Sequence, residues 1–247
     1  MQIKQIFEKQ NATAAGIIGV ALVIVALIAG SFLSNLRSSG NVLTSTGSAK
    51  TSVVSDSAKF SGSVIAYGTQ FELPARYKEI EADTAKVKKY LTDNGVTEEE
   101  LTISPVTQFE QYDYNNSGMN QPKRFQLSQT ISVNSTDVDK ITKISNGVTD
   151  IAQTGVLFQT NGAQYFYSKL ADLRVSLLGE AVQDAKARAK EIAKASGSNV
   201  GKLKSATSGV VQVLAPNSID TSDYGTYDTS TVEKDVMVTV RATFIIR

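Results

Sequence analysis

Residues 124–141 read RFQLSQTISVNSTDVDKI, and the fold turns on where that stretch changes period. From 124 to 134, Phe125, Leu127, Ile131 and Val133 alternate with polar residues. That is the period-2 pattern of a strand with one buried face. Thr136 and Asp139 then stand at capping-box spacing, and Val138, Ile141, Ile144 and Val148 recur every three or four residues. The spacing predicts a helix directly after the strand. Upstream, residues 113–122 (DYNNSGMNQP) are turn chemistry throughout. Before them, Leu101, Ile103, Thr107 and Phe109 mark a strand over 101–112. The two strands form a long antiparallel hairpin.

Working outward, residues 59–67 predict a first strand with Phe60, Gly62, Val64 and Ala66 on one face. A helix follows, with Pro74 in its first turn, where a missing N–H costs nothing. Leu73, Tyr77, Ile80, Thr84, Val87 and Leu91 form its buried stripe, and Gly95 supplies a left-handed C-cap. Downstream come a short strand over 156–160 and a long helix over 168–196 closed by Gly197. Leu170, Leu173, Leu177, Ala181, Ala185 and Ala189 share one face of that helix, small enough for close approach to a sheet. Asp184 and Arg188 make an i, i+4 pair on its wet side. Two strands close the chain, 203–214 and 232–246, joined by the polar loop PNSIDTSDYGTYDTSTV. Val232, Val236, Val238, Val240, Ala242, Phe244 and Ile246 line one face of the last strand, a candidate for a sheet edge, though the sequence does not decide which strand lies there. The order β-α-β-β-α-β-α-β-β indicates an α+β fold, one largely antiparallel sheet covered by helices. Its first six elements follow the split β-α-β order.

The chain has 247 residues, 41% of them hydrophobic, and a net charge of +1. That balance gives no electrostatic footprint for nucleic acid. Histidine and cysteine are both absent. This excludes serine–histidine triads, cysteine nucleophiles, thiolate metal sites and disulfides. Residues 14–33, AAGIIGVALVIVALIAGSFL, carry no charge and have the length of a membrane-crossing helix. A cleaved signal peptide has a shorter apolar core and an Ala-x-Ala-like site, so an uncleaved signal anchor is the reading. It divides the chain into a short cytoplasmic leader (1–13), a transmembrane anchor in the lipid bilayer (14–33), a flexible Ser/Thr/Gly linker (34–52) and an extracytoplasmic domain (53–247) in the periplasm or at the cell surface.

Three stretches resemble the SIMPL-domain proteins, a bacterial family of periplasmic or secreted proteins, some described as oxidative-stress defence proteins and some as periplasmic immunogens. They are TAKVKKYLTDNGVTEEELTIS (84–104), RFQLSQTISVNSTDVDKI (124–141) and LADLRVSLLGEAVQDAKARAKEIAKASGSNVGKL (170–203). The likeness departs at 68–73, GTQFEL, where the family commonly has a Pro-Asp turn. The resemblance implies an extracytoplasmic α+β domain that tends to form homo-oligomers. It implies no reaction and carries over no catalytic residue.

Candidate sites are sparse. Glu98, Glu99 and Glu100 form a carboxylate run best read as a solvated cap. Asp220, Asp223 and Asp228 share a loop but lack EF-hand spacing. Ser168 with Lys169, and Lys140 with Ser145, are weak serine–lysine pairs, and no nucleophile elbow, Walker loop or dinucleotide fingerprint occurs. Lys186, Arg188, Lys190 and Lys194 line a basic helix face. The candidate partner contacts are Tyr112, Tyr114, Tyr224 and Tyr227, tyrosines set among glycine, serine and asparagine in two loops. No catalytic, metal or cofactor residue is identified. The expectation is a membrane-tethered, non-enzymatic envelope protein that self-assembles and contributes to envelope integrity or stress tolerance. The alternative is an extracytoplasmic binding or sensing module for an envelope ligand.

Overall fold

The computed structural model describes residues 22–29, 41–111 and 122–247. Most of the expected anchor lies outside the described residues. Its described part, α1 (residues 22–29), is helical, with Leu22, Ile24, Leu27 and Ile28 exposed. No helix among the described residues is long and apolar enough to cross a membrane.

The elements that follow are β1 (Val42–Val54), β2 (Ser57–Thr69), α2 (Leu73–Asp93), β3 (Leu101–Ile103), β4 (Thr107–Gln111), β5 (Arg124–Ser135), α3 (Val138–Asn146), α4 (Thr149–Gln153), β6 (Phe158–Phe166), α5 (Leu170–Ala195), β7 (Val200–Ser208), β8 (Gln212–Leu214), β9 (Thr226–Tyr227) and β10 (Glu233–Ile246). The class is α+β, as the sequence indicates, but there are two five-stranded sheets, not one. One has the order β3-β5-β2-β6, with β4 also on β5. The other has the order β1-β10-β8-β9, with β7 also on β10. Every pairing described residue by residue is antiparallel except β8 with β9. The chain divides into two compact units, one of Ala49–Leu178 with Val210–Val238, the other of Met1–Ser48, Gly179–Gly209 and Thr239–Arg247.

In the larger unit, β2 and β5 pair over twelve residues from Ala58↔Ser135 to Thr69↔Arg124. Phe60, Val64 and Ala66 of β2, with Leu127, Ile131 and Val133 of β5, face inward. Ile80, Val87 and Leu91 of α2 and Ile141 and Ile144 of α3 close over them. Gly62 lies under the Phe158 ring, where a Cβ would sit 2.3 Å from ring carbon. Gly95 has φ +86 and ends α2 as expected. The strand expected over 101–112 is broken into β3 and β4, because Pro105 has no N–H to give the ladder. The cap of α3 is Asp137, not Thr136: its carboxylate accepts from Lys140 N–H at 2.9 Å. The expected strand 156–160 lies later and is longer, as β6.

In the smaller unit, β1 overturns the flexible linker expected over 34–52. Residues 34–40 lie outside the described residues, but from Val42 the chain is a strand. Its inward positions are Ser45, Gly47 and Ala49, and small residues are what a close helix demands. A Cβ on Gly47 would stand 2.2 Å from Ala181 O and Ala185 N of α5. Ser45 Oγ donates to Ala185 O at 2.6 Å. Ala181, Ala185 and Ala189 of α5 are buried, as the stripe in the sequence implies, and Ala193 is buried with them. The strand expected over 203–214 is two strands, β7 and β8, paired to successive parts of β10. β10 is therefore central, between β1 on one side and β7 and β8 on the other, and the candidate edge position is not the one it takes.

Candidate functional site

The most unusual side chain is Lys234. It occupies an inward position of β10, in phase with Val236, Val238 and Val240, and is completely buried. Its Nζ donates to Asp228 O at 2.6 Å, Thr231 O at 2.7 Å and Asp228 Oδ2 at 3.3 Å. The ammonium also lies 5.9 Å from the centre of the Tyr227 ring. Burial pushes Lys234 below the ordinary lysine range, and Asp228 partly offsets that. For Asp228, burial acts upward but is outweighed by hydrogen bonds from Ser230 and Thr231, which hold its carboxyl well below the usual range. Ser230 Oγ donates at 2.6 Å, Thr231 N–H at 3.1 Å, and Thr231 Oγ1 also donates. A lysine of lowered pKa can act as a nucleophile, but three acceptors meet the three protons of this one and none of it reaches solvent. The knot ties β10 to the loop after β8. On the opposite face of β10, Asp235 accepts from Lys50 at 2.7 Å, Ser52 Oγ at 2.7 Å and Asn217 N–H at 3.4 Å.

The expected acidic sites separate in the same way. Glu98 is a surface partner of Lys88 at 3.0 Å. Glu100 is not simply solvated: it pairs with Lys140 at 2.8 Å, and both side chains are under one-fifth exposed. Burial pushes Glu100 up, but hydrogen bonds from Lys140, Ser135 and Thr97 bring its pKa down to about 2. Lys140 is thus committed to Glu100. Ser168 Oγ donates to Asp56 at 2.7 Å. Neither serine–lysine pair forms a described hydrogen bond. Among the described residues, no group of three acidic side chains is placed to hold a metal. On the basic helix face, Arg188 pairs with Asp184 at 2.8 Å.

The candidate tyrosines do not form one site. Tyr112 and Tyr114 lie outside the described residues. Tyr224 is 97% exposed. Tyr227 is engaged at home, its hydroxyl accepting from Tyr167 N–H at 3.1 Å and its ring 6.1 Å from that of Phe166.

Two exposed strand surfaces stand out among the described residues. β7 pairs with β10 on one side, and all its residues from 202 to 208 are exposed. The second is at one end of the β3-β5-β2-β6 sheet, where three strands align two rows of side chains. Thr69, Arg124 and Gln111 form one row, and Tyr67, Gln126 and Phe109 the next. These point away from α2, since Gly68 between Tyr67 and Thr69 lies against Arg76 of α2, with its Cβ position 2.8 Å from Arg76 Cγ. A hollow of about 310 Å³ is lined by Tyr67, Thr69, Gln111 and Arg124, with Glu72 and Arg76. Periodicity shows which residues of each strand face outward, but assembling this cluster needs the register of strands far apart in sequence.

The sequence profile described as "SIMPL: Protein of unknown function (DUF541)" matches residues 43–244. No curated protein matches the chain.

Proposed function

From the premise that the chain belongs to the SIMPL family, a family of unknown function, we propose that it is a membrane-held, non-enzymatic module of the cell envelope that assembles with copies of itself. Residues 14–33 hold it in the bilayer, with the folded part outside the cytoplasm. The absence of histidine and cysteine supports a non-catalytic role. So do the internal hydrogen bonds of Lys234, Asp228 and Glu100.

The observation that carries assembly is that, among the described residues, β7 pairs with β10 alone and turns the backbone of Ala206 away from it. An edge strand offers unpaired N–H and C=O groups to another chain. Gly209 N–H donates to Thr239 O, so alternation turns the backbone groups of Ala206 outward. Lys202 and the register breaks against β10 guard the strand against open-ended stacking and favour closed assemblies. Light scattering on the full chain in detergent tests this. The expected result is a discrete oligomer that Ala206→Pro reduces to monomers, since that proline removes an outward donor and no bond to β10. A wild-type monomer at every concentration, or an oligomer indifferent to the proline, refutes it. The hollow beside Tyr67 favours the second reading, a binding module.

A further inference from the structure

We propose that the cluster of Tyr67, Thr69, Phe109, Gln111, Arg124 and Gln126 is a binding site for an uncharged polysaccharide. The inference rests on the binding-module reading and is independent of assembly.

The cluster brings together the groups that sugar recognition requires. Tyr67 and Phe109 are 50% and 60% exposed, large fractions for aromatic side chains on a sheet. They flank Gln126 on neighbouring strands, so they stand two strand spacings apart, roughly 10 Å. That is the span of two linked sugar rings, whose C–H faces stack on aromatic planes. Between and beside them stand Gln111, Gln126 and Arg124, planar groups with paired hydrogen-bonding atoms that match vicinal hydroxyls. Gln111 Nε2 already donates to Gln126 Oε1 at 3.3 Å, which fixes the two amides relative to each other. The hollow next to Tyr67, about 310 Å³, gives the otherwise flat face a concave end.

Charge selects the polymer. Arg76 is held by Glu79 at 2.5 Å and by Glu72 at 3.3 Å. Those three carry one net negative charge, which Arg124 balances. Inward along the same face, β2 and β5 continue with Ser63 opposite Thr130, both uncharged, while Ile65 and Ser61 to either side are buried. These two hydroxyls offer no charge to an acidic polymer. Hydroxyl and amide groups beside exposed rings complement a neutral polyhydroxyl chain.

The test is affinity electrophoresis of the full chain, in a zwitterionic detergent without sugar headgroups. Separate gels contain a soluble β-glucan, dextran or the acidic polymer alginate. Retardation by at least one neutral polymer is expected. Tyr67→Ala and Phe109→Ala should each weaken it about tenfold or more, while Tyr67→Phe retains it. Tyr224→Ala, an exposed ring elsewhere, serves as control and should be retarded like wild type. If Tyr67→Ala melts below wild type, Phe109→Ala decides. No retardation by either neutral polymer, retardation by alginate alone, or unchanged retardation of both alanine variants overturns the proposal. The assembly variant Ala206→Pro should still bind, so failure of one reading is distinguishable from failure of the other.

Discussion

Gly47→Ala separates two readings of the chain before Val53 by the sign of its effect. In a flexible linker, alanine for glycine is neutral, or stabilises by about 0.4–1 kcal/mol through lost freedom of the unfolded chain. In β1, the new methyl carbon would stand 2.2 Å from Ala181 O, 2.2 Å from Ala185 N and 2.8 Å from Ala185 Cα. These are backbone atoms, so no rotamer change relieves the clash. Normal contact is near 3.5–4.0 Å, so α5 must withdraw by more than 1 Å. The inward face of α5 there is a row of alanines, at 181, 185, 189 and 193, with no longer side chain to refill the gap. A gap of 0.5–1 Å already forfeits a quarter to a half of each dispersion contact. Overpacking of this kind costs about 1–3 kcal/mol. Urea unfolding of the full chain in detergent, followed by circular dichroism, should give a lower midpoint at unchanged slope. Ala185→Leu acts on the same contact in the same direction, while Lys186→Ala, at an exposed neighbour, leaves the midpoint in place. A midpoint for Gly47→Ala equal to or above wild type refutes the packing of β1 on α5.

Three further outcomes follow from the ionic and aromatic contacts. Asp228→Ala leaves the buried Lys234 charge uncompensated and should cost about 3–5 kcal/mol; the double variant with Lys234→Met should recover part of it, and additive losses in a denaturation cycle would show that the two groups are not coupled. Because the folded-state pKa of Glu100 is depressed to about 2, its stabilisation is full above the ordinary value of 4.5 and is lost as pH falls from there through about 2; Glu100→Gln should flatten the fall of melting temperature across that window, and an unchanged slope counts against the ion pair with Lys140. Tyr227→Ala should lower the melting temperature through loss of its Phe166 and Tyr167 contacts, whereas Tyr224→Ala should not.

Elements that bury one regular face were legible from periodicity. β2, β5, α2, α5 and most of β10 stand where alternation or helical spacing puts them, because one contiguous surface drives each of them inward. β1 was not legible, because close packing on alanines selects serine, glycine and alanine, the same composition that makes a linker flexible. The break between β3 and β4 did have a signal in Pro105, which cannot serve a central ladder. Lys234 had one too. It falls in phase with the valines of β10, and a lysine at an inward position needs a partner. That partner, Asp228, lies six residues upstream in a loop whose path periodicity does not describe. The cluster at Tyr67 was beyond reach for a different reason: residues 67, 109 and 126 become neighbours only through strand register, and each alone is an ordinary outward side chain.

The position of β1 also changes what membrane tethering does in the proposed function. With a linker over 34–52 the folded part would be free to move far from the bilayer. The strand instead begins at Val42, with eight residues (34–41) between it and the last residue of the proposed anchor. Eight extended residues span at most about 26–29 Å. Copies held that close to one surface meet in two dimensions with restricted orientations. A contact too weak to hold in solution can then persist, because confinement raises the effective concentration. The same confinement would limit the proposed polysaccharide to chains running near the membrane surface. An open but guarded edge such as β7 suits this situation, since the anchor supplies proximity and the strand need supply only a modest attraction. Lengthening the segment before Val42 with a Gly/Ser insert therefore weakens assembly in vesicles and leaves the oligomer unchanged in detergent, where no shared bilayer confines the copies; equal loss in both places assembly in the insert's effect on the fold, and no loss in either removes tethering from the account.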